Sequence, residues 1–339
     1  MSGKCVIATS VIAVAFALSA QVSQAQDLKT VRYHEFPGSM SHLVNWVMRE
    51  KGFCTMEGLK CEPVSLASGP LAAQAAAAGS VDIILSSVDQ LFLAIANGND
   101  LQLISNQQTD HNWTFSVRKG FPQPNSALGY PAKMVDFKSA RIGVSARGSG
   151  TEMTARSLFI SAGVSPSDVS FVAVGGPTTA YQALLAKQVD AVITWDPLPQ
   201  VCDASGECDV VVDLRRREGP KELLAMNGIF NPWAARRSYI EAHGSVIDAY
   251  VRALGGAMEW VKDRRNYPEA LRIAQKHIKF GDMVPNPDQV METSLKEMIA
   301  SYGTKIDRGA VKGVNDFLMS QKMITKPLDP EVVVYRNAP

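Results

Sequence analysis

The chain contains SGPLAAQAAAAGSVDIILSS (68–87) and, further along, GGPTTAYQALLAKQVDAVITW (175–195). In each segment a Gly-Pro pair opens a helical pattern, and a Val-Asp pair opens an apolar run that is typical of a buried strand. Proline at a first helical position loses nothing, because its missing N–H would be unpaired there. The repetition predicts two α/β units that are built alike, and a chance likeness would still leave two α/β lobes.

Strand and helix patterns also alternate around these two segments. Further strand patterns are VRYHEF (31–36), EPVSLA (62–67), LQLIS (101–105), WTFSVR (113–118), ARIGVS (140–145) and VSFVAV (169–174). Helical patterns separate most of them. This alternation predicts a doubly wound, mainly parallel sheet in each lobe.

The stretch 119–138 is rich in Pro and Gly and is typical of a linker. The first lobe is therefore predicted to comprise 26–118 and 222–339, and the second 119–221. The return to the first lobe is predicted to use a strand over LLAMNGIF (223–230). Helical patterns then cover 234–264, 267–278, 287–302 and 307–321. Two crossings between lobes would form a hinge.

The N-terminus predicts export. A single Lys4 precedes the apolar run VIATSVIAVAFALSA (6–20), and SQA (23–25) offers small residues for cleavage near Ala25. The prediction is a secretory signal peptide over 1–25 and a periplasmic mature protein. The alternative, a membrane anchor, is disfavoured because the apolar run is short.

Four cysteines would remain after cleavage, in two close pairs. An even number in an exported chain suggests disulfides. Proximity favours Cys54 with Cys61 and Cys202 with Cys208. The alternative, a zinc site, usually has closer ligand spacing.

Charge and motifs exclude several classes of function. Removing Lys4 from 34 basic residues leaves 33, against 33 acidic residues, so no long-range field favours nucleic acid. Neither a phosphate-binding G-x-x-x-x-G-K-[ST] nor a zinc-protease H-E-x-x-H motif occurs, and Met153 stands where a dinucleotide fingerprint needs its last glycine. No cofactor, metal or catalytic set is predicted.

The ligand is expected beyond the carboxyl ends of the strands, as in other open α/β sheets. The predicted strand exits are rich in hydroxyl and amide side chains, with Phe36, Trp113 and Trp195 among them. In SARGSGT (145–151), Arg147 suggests an anion, whereas Ser149 and Glu152 form a capping box. The alternative is that Ser, Thr and Gly serve only as helix caps.

The strand, loop and helix segments quoted above, 68–87 and 175–195 among them, resemble those of the periplasmic solute-binding proteins of ABC importers. The resemblance is to the group that binds sulfonates, taurine, nitrate and thiamine pyrimidines. The resemblance covers essentially all of the mature chain, and LLAKQVDAVITWDP (184–197) is its most specific part. It implies a two-lobed, type II periplasmic binding protein with a helical C-terminal extension. It also implies a monomer that delivers its ligand to an inner-membrane permease with a cytoplasmic ATPase.

The resemblance also implies a set of cleft residues. They are Phe36, Gly38, Ser39, Met40, Ser68, Gly69, Ser86, Ser87, Ser145, Arg147, Gly148, Ser149, Thr151, Gly176, Thr178, Trp195 and Asp196. The expected ligand is a small organic carboxylate or sulfonate, with an aromatic body as one option. Two alternative functions stay open: a sensory module for a membrane receptor, and an enzyme adapted from the same fold, although the cleft lacks the clustered Cys and His of the pyrimidine-synthesising relatives.

Overall fold

The computed structural model describes residue 1 and residues 27–280 and 284–339. The signal peptide predicted over 1–25 therefore lies, apart from Met1, outside the described residues. No helix within the described part of the chain combines the length and the apolar character that crossing a membrane requires.

Ten strands form two sheets among the described residues. They are β1 Lys29–Glu35, β2 Leu59–Ser65, β3 Ile83–Leu85, β4 Leu101–Gln108, β5 Trp113–Arg118, β6 Arg141–Val144, β7 Ser170–Ala173, β8 Ala191–Trp195, β9 Cys208–Asp213 and β10 Asn231–Arg236. The α-helices are α1 Leu43–Glu50, α2 Phe53–Met56, α3 Gly69–Ala77, α4 Val88–Ala96, α5 Gly150–Ser161, α6 Pro177–Leu185, α7 Leu198–Ser205, α8 Lys221–Leu224, α9 Arg237–Lys262, α10 Tyr267–His277, α11 Pro287–Ile299, α12 Ala310–Ser320 and α13 Pro330–Val333.

The two sheets have the same topology. The order is β2-β1-β3-β10-β4 in the first lobe and β7-β6-β8-β5-β9 in the second. In the spatial order of each sheet, the first three strands are parallel to one another. The fourth strand, β10 or β5, runs antiparallel to both of its neighbours. The predicted two-lobed α/β fold with mainly parallel sheets is confirmed.

The chain crosses between the sheets at 109–112 and again at 214–230. Strand β5 pairs with β8 and β9 of the second sheet, whereas the sequence boundary at residue 118 assigned it to the first lobe. The Pro- and Gly-rich stretch 119–138 joins β5 to β6, so it lies within the second lobe and does not cross between lobes.

The return strand lies later in the sequence than predicted. LLAMNGIF (223–230) forms the end of α8 and a turn, and the strand is β10, with the sequence NPWAAR. Its alanines favoured a helix, and Pro232 disfavours a strand interior. The register shift between Asn231 and Pro232 accommodates the proline at an irregularity of the ladder.

The same ion pair anchors the central strands of both lobes. Asp82 accepts from the backbone N–H of Arg32 at 2.8 Å and from its guanidinium, and the guanidinium also donates to the Gly79 carbonyl. Asp190 repeats every element of this arrangement with Arg141 and the Lys187 carbonyl. The two aspartates are those of the repeated Val-Asp pairs, so the repetition in sequence has a structural cause.

Each lobe also contains one disulfide. Cys54 of α2 joins Cys61 of β2, and Cys202 of α7 joins Cys208 of β9. The pairing is the one that proximity in the sequence favoured. Each bond ties a short helix to the strand that follows it.

We expect Asp190→Ala to lower the free energy of unfolding by about 1–3 kcal/mol, because it leaves the bonding groups of two arginines and one backbone N–H without their acceptor. Chemical denaturation measures this change. The control is Glu62→Ala, which removes an exposed pair with Lys60 and should cost less than about 0.5 kcal/mol. Equal effects of the two substitutions would contradict the anchoring role of Asp190.

Candidate functional site

A small cavity of about 30 Å³ lies between the two lobes, at the carboxyl ends of their central strands. It is lined by Phe36, Ser41, Gly69, Ser86, Ser87, Gln90, Asn112, Trp113, Ser145, Ser149, Gly150, Thr151, Trp195 and Asn231. Residues of both lobes contribute to the wall. Asn112 of the first crossover and Asn231, which directly follows the second crossover, contribute as well. Within the described chain, no Lys, Arg, Asp, Glu, His or Cys lines this cavity.

Three helices begin at the cavity wall. Gly69 is the first residue of α3, Ser87 is the N-cap of α4, and Gly150 is the first residue of α5. The first N–H groups of a helix have no partner within the helix, and they carry a partial positive charge. The wall can therefore donate hydrogen bonds to an acceptor group without a charged side chain.

Aromatic rings from both lobes form the apolar part of the wall. Phe36 of the first lobe packs against Trp195 of the second, with ring centroids 5.5 Å apart. The Trp195 indole N–H donates to the Ser39 hydroxyl across the lobe boundary at 2.7 Å. Trp113 is the ladder partner of Trp195 on the neighbouring strand and packs edge-on against Phe230, with ring centroids 4.9 Å apart.

The lobes meet tightly around the cavity. A Cβ added to Gly150 of α5 would overlap the Ser87 hydroxyl and lie 3.0 Å from an oxygen of Asp89, both in the first lobe. A Cβ on Gly38 would lie 2.7 Å from the Thr178 hydroxyl of the second lobe. Close approach of the two lobes therefore requires glycine at position 150.

A hydroxyl cluster organises the start of α5. Thr151 Oγ1 accepts from the Ser145 N–H at 2.9 Å and lies 2.8 Å from Ser149 Oγ. Ser149 caps the helix by accepting from the N–H of Glu152. The Glu152 carboxylate accepts from the N–H of Gly148, whereas a standard capping box would use that of Ser149.

Arg147 does not line the cavity. Its guanidinium pairs with Glu152 at 2.9 Å, donates to the Phe171 carbonyl, and has an exposed side chain. The expectation that Arg147 would meet an anionic ligand has no support in this geometry. The turn at Gly148, with φ of +74°, directs the chain so that Arg147 pairs with the carboxylate that follows it.

The remaining predicted residues divide into two groups. Those that line the cavity are Phe36, Gly69, Ser86, Ser87, Ser145, Ser149, Thr151 and Trp195. Those that do not are Gly38, Ser39, Met40, Ser68, Arg147, Gly148, Gly176, Thr178 and Asp196. In the second group, Gly38, Gly176 and Thr178 lie at the contact between the two lobes, and Ser68 caps the N-terminus of α3.

Asp196 lies in a buried charge cluster outside the cavity. It accepts from Arg215 at 3.2 Å and from the Gln200 amide at 2.5 Å, and Arg215 also pairs with Glu297 of α11. Burial raises the pKa of Asp196 to about 6, although Arg215 lowers it. The cluster connects the second lobe with α11 and lines a separate pocket, so Asp196 is not part of the wall of the cavity between the lobes.

Ser41, Gln90, Asn112, Trp113, Gly150 and Asn231 line the cavity but are absent from the predicted set. Gln90, Asn112 and Trp113 belong to the strand-exit stretches 86–90 and 105–113, so the sequence could have included them. The structure places Asn112 on the first crossover, which the sequence located after residue 118. Its amide nitrogen and oxygen both lack a hydrogen-bond partner among the described residues.

Three histidines are buried near this region without lining the cavity. Burial lowers the pKa of His34, His42 and His111 to about 4, and the bonds of His42 to Asn45 and of His111 to Asn227 only partly oppose this. His42 Nε2 accepts from the N–H of Phe36 at 2.9 Å, which positions the aromatic wall. These rings are neutral at neutral pH.

The fold and the cavity between the lobes define a protein with the architecture of the periplasmic binding proteins. The chain belongs to the NMT1-like family, whose sequence profile matches residues 39–275. The resemblance noted from the sequence is confirmed at the level of family and fold.

Individual relatives are distant in sequence. A protein of Brucella abortus (strain 2308), named as a binding protein, is 27% identical over 299 residues, which cover 84% of this chain and 83% of that one. A solved structure from Bordetella bronchiseptica RB50 has a TM-score of 0.78 at 22% identity and covers 92% of this chain and 96% of its own. The alkanesulfonate-binding protein SsuA from Xanthomonas axonopodis pv. citri, bound to MOPS, has a TM-score of 0.71 at 20% identity, over 91% and 99% of the chains.

We expect acid to destabilise the protein. The unfolded chain binds protons at its histidines near an ordinary pKa of about 6.5, whereas the folded rings do so only near 4. Each ring therefore contributes about 3 kcal/mol at neutral pH, which is lost as the pH falls from about 6.5 towards 4. Asp196 and Asp89 act in the opposite direction, because burial raises the pKa of both carboxyl groups, but they are two groups against three.

Thermal unfolding between about pH 7 and about pH 5 tests this expectation, which is a falling midpoint. His42→Gln should flatten the pH dependence, and His243→Gln, at an exposed position, should leave it as in the wild type. A midpoint that is constant or rises towards acid would contradict the assignment of neutral, buried rings.

Proposed function

We propose that this protein is the solute-binding component of an ABC importer in the periplasm. It captures a small organic molecule between its lobes and delivers it to a membrane permease that is driven by a cytoplasmic ATPase. The observation that carries the proposal is the cavity itself, whose wall comes from both lobes and from the crossovers that join them. A ligand that contacts both walls favours the closed arrangement, because only closure provides all of its contacts.

The composition of the wall supports binding without catalysis. Its side chains are hydroxyls, amides and aromatic rings, and the described lining residues offer no imidazole, thiol or amine that would activate a nucleophile. A wall of this kind orients a ligand by hydrogen bonds and covers its apolar body. The predicted export signal and the family assignment agree with a role in transport.

The proposed ligand combines an apolar or aromatic body with a compact acceptor group such as a carboxylate or sulfonate. Phe36, Trp113 and Trp195 supply flat apolar surfaces for the body. The starts of α3, α4 and α5 supply N–H donors and partial positive charge for the acceptor group. These donors take the role that the sequence assigned to Arg147, because the Arg147 side chain pairs with Glu152 and does not line the cavity.

Thermal-shift screening of the purified mature protein against small carboxylates, sulfonates and amino-substituted heterocycles tests the proposal. A true ligand raises the unfolding midpoint, because it binds the folded state only. The hit is then measured by calorimetry, with micromolar affinity or better expected, which corresponds to about −8 kcal/mol. Turnover of the hit by the protein, or no hit in all three chemical series, would overturn the proposed function.

We expect Gly150→Ala to weaken ligand binding at least tenfold and to leave the fold intact. Alanine suits the first turn of a helix, but its methyl group would overlap Ser87 and keep the lobes apart. Calorimetry measures the affinity, and small-angle scattering measures whether the ligand still compacts the protein.

Gly255→Ala in α9 is the matched control. A methyl group at position 255 makes only an ordinary contact with Thr304, so both the affinity and the compaction should be preserved. Normal compaction and affinity in Gly150→Ala would show that close approach at this point is not needed for binding.

Arg147→Ala tests whether Arg147 belongs to the binding site, as the sequence predicts, or lies outside it, as in the structure. Because the guanidinium lies outside the cavity, we expect ligand affinity within about threefold of the wild type, which is under about 1 kcal/mol. A tenfold loss, measured for the same ligand, would return Arg147 to the binding site.

A further inference from the structure

The amide of Asn112 is unusual among the buried polar groups of the cavity. Only 4% of the residue is exposed, yet neither its nitrogen nor its oxygen has a hydrogen-bond partner in the described chain. Most buried polar side-chain atoms in proteins are paired, and an unpaired one is costly. Asn112 lines this cavity and also an adjoining pocket that includes Arg215, so its free donor and acceptor are available to a molecule in either space.

These atoms discriminate between classes of ligand. A ligand with only acceptor oxygens could bond the Asn112 nitrogen, but it would leave the Asn112 oxygen unpaired. The described residues that line this cavity include no cationic side chain that would offset the charge of such a ligand. A ligand that also carries an N–H group can pair both atoms of the Asn112 amide.

We infer that Asn112 determines specificity, and that the cavity selects an organic solute that carries N–H donors in addition to its acceptor group. The inference rests on the proposed function and narrows its ligand class to nitrogenous compounds, such as amino- or amide-substituted acids. A site built to bond an N–H group rejects the analogue that lacks it far more strongly than an apolar pocket rejects a missing methylene. Rejection of compounds without N–H groups is therefore the main consequence.

The first test measures the stability of the protein without added ligand. If the Asn112 amide is reserved for a ligand, Asn112→Leu removes an unpaired group and should keep or raise the unfolding midpoint. Asn315→Leu is the control, because that buried amide is paired through both atoms with the Leu328 backbone and its loss should lower the midpoint by several degrees. A drop for Asn112→Leu as large as that for Asn315→Leu would overturn the inference.

The second test uses matched pairs of probes in calorimetry: 4-aminobenzoate with benzoate, and 3-aminopropanesulfonate with propanesulfonate. We expect the amino member of a pair to bind at least tenfold more tightly to the wild type, and Asn112→Leu to reduce this ratio to within about threefold. Equal binding of both members, or a ratio that the substitution leaves unchanged, would overturn the inference and leave the proposed function standing. Absence of binding by either series would count against the proposed ligand class of acids, and the stability test would then decide the assignment of Asn112 alone.

Discussion

The paired arginine and aspartate beside the central strands of each lobe are the constraint on which the cavity depends. Arg32 with Asp82, and Arg141 with Asp190, join neighbouring parallel strands through the backbone as well as the side chains. Parallel strands fixed in register bring their carboxyl ends to one edge, where the next loops and helix starts must follow. The cavity wall consists largely of those loops, so its geometry is set at the opposite end of the same strands.

The repeated segments therefore carried most of what the sequence could predict. Gly-Pro and Val-Asp mark a helix start and a strand anchor, and both are local signals with local causes. The failures have a different origin. NPWAAR forms a strand because it is inserted between β3 and β4, a context that its alanines do not reveal. Arg147 carries the charge that would bind an anion. The direction of the turn at Gly148 brings its guanidinium to Glu152 instead. Asn112 is significant only because two lobes close around it.

The position of Asn112 also connects recognition with movement. It lies on the first crossover, and the adjacent His111 bonds Asn227 of the second crossover through both its backbone N–H and its ring. In the proposed function, a ligand that bonds Asn112 would therefore act directly on a segment that joins the two lobes. Such a bond contributes to closure only as far as it is stronger in the closed state than in the open one.

A neutral wall has a consequence for release. A guanidinium or ammonium group on one lobe would hold an acid strongly even after the lobes parted, because its charge acts at a distance. Helix starts, hydroxyls and aromatic faces act only in contact. Trp195 and Thr151 belong to one lobe and Ser86 and Gln90 to the other, so in the proposed function opening of the lobes would remove one side of the wall as a unit. Capture and release would then be two states of the same set of short-range contacts.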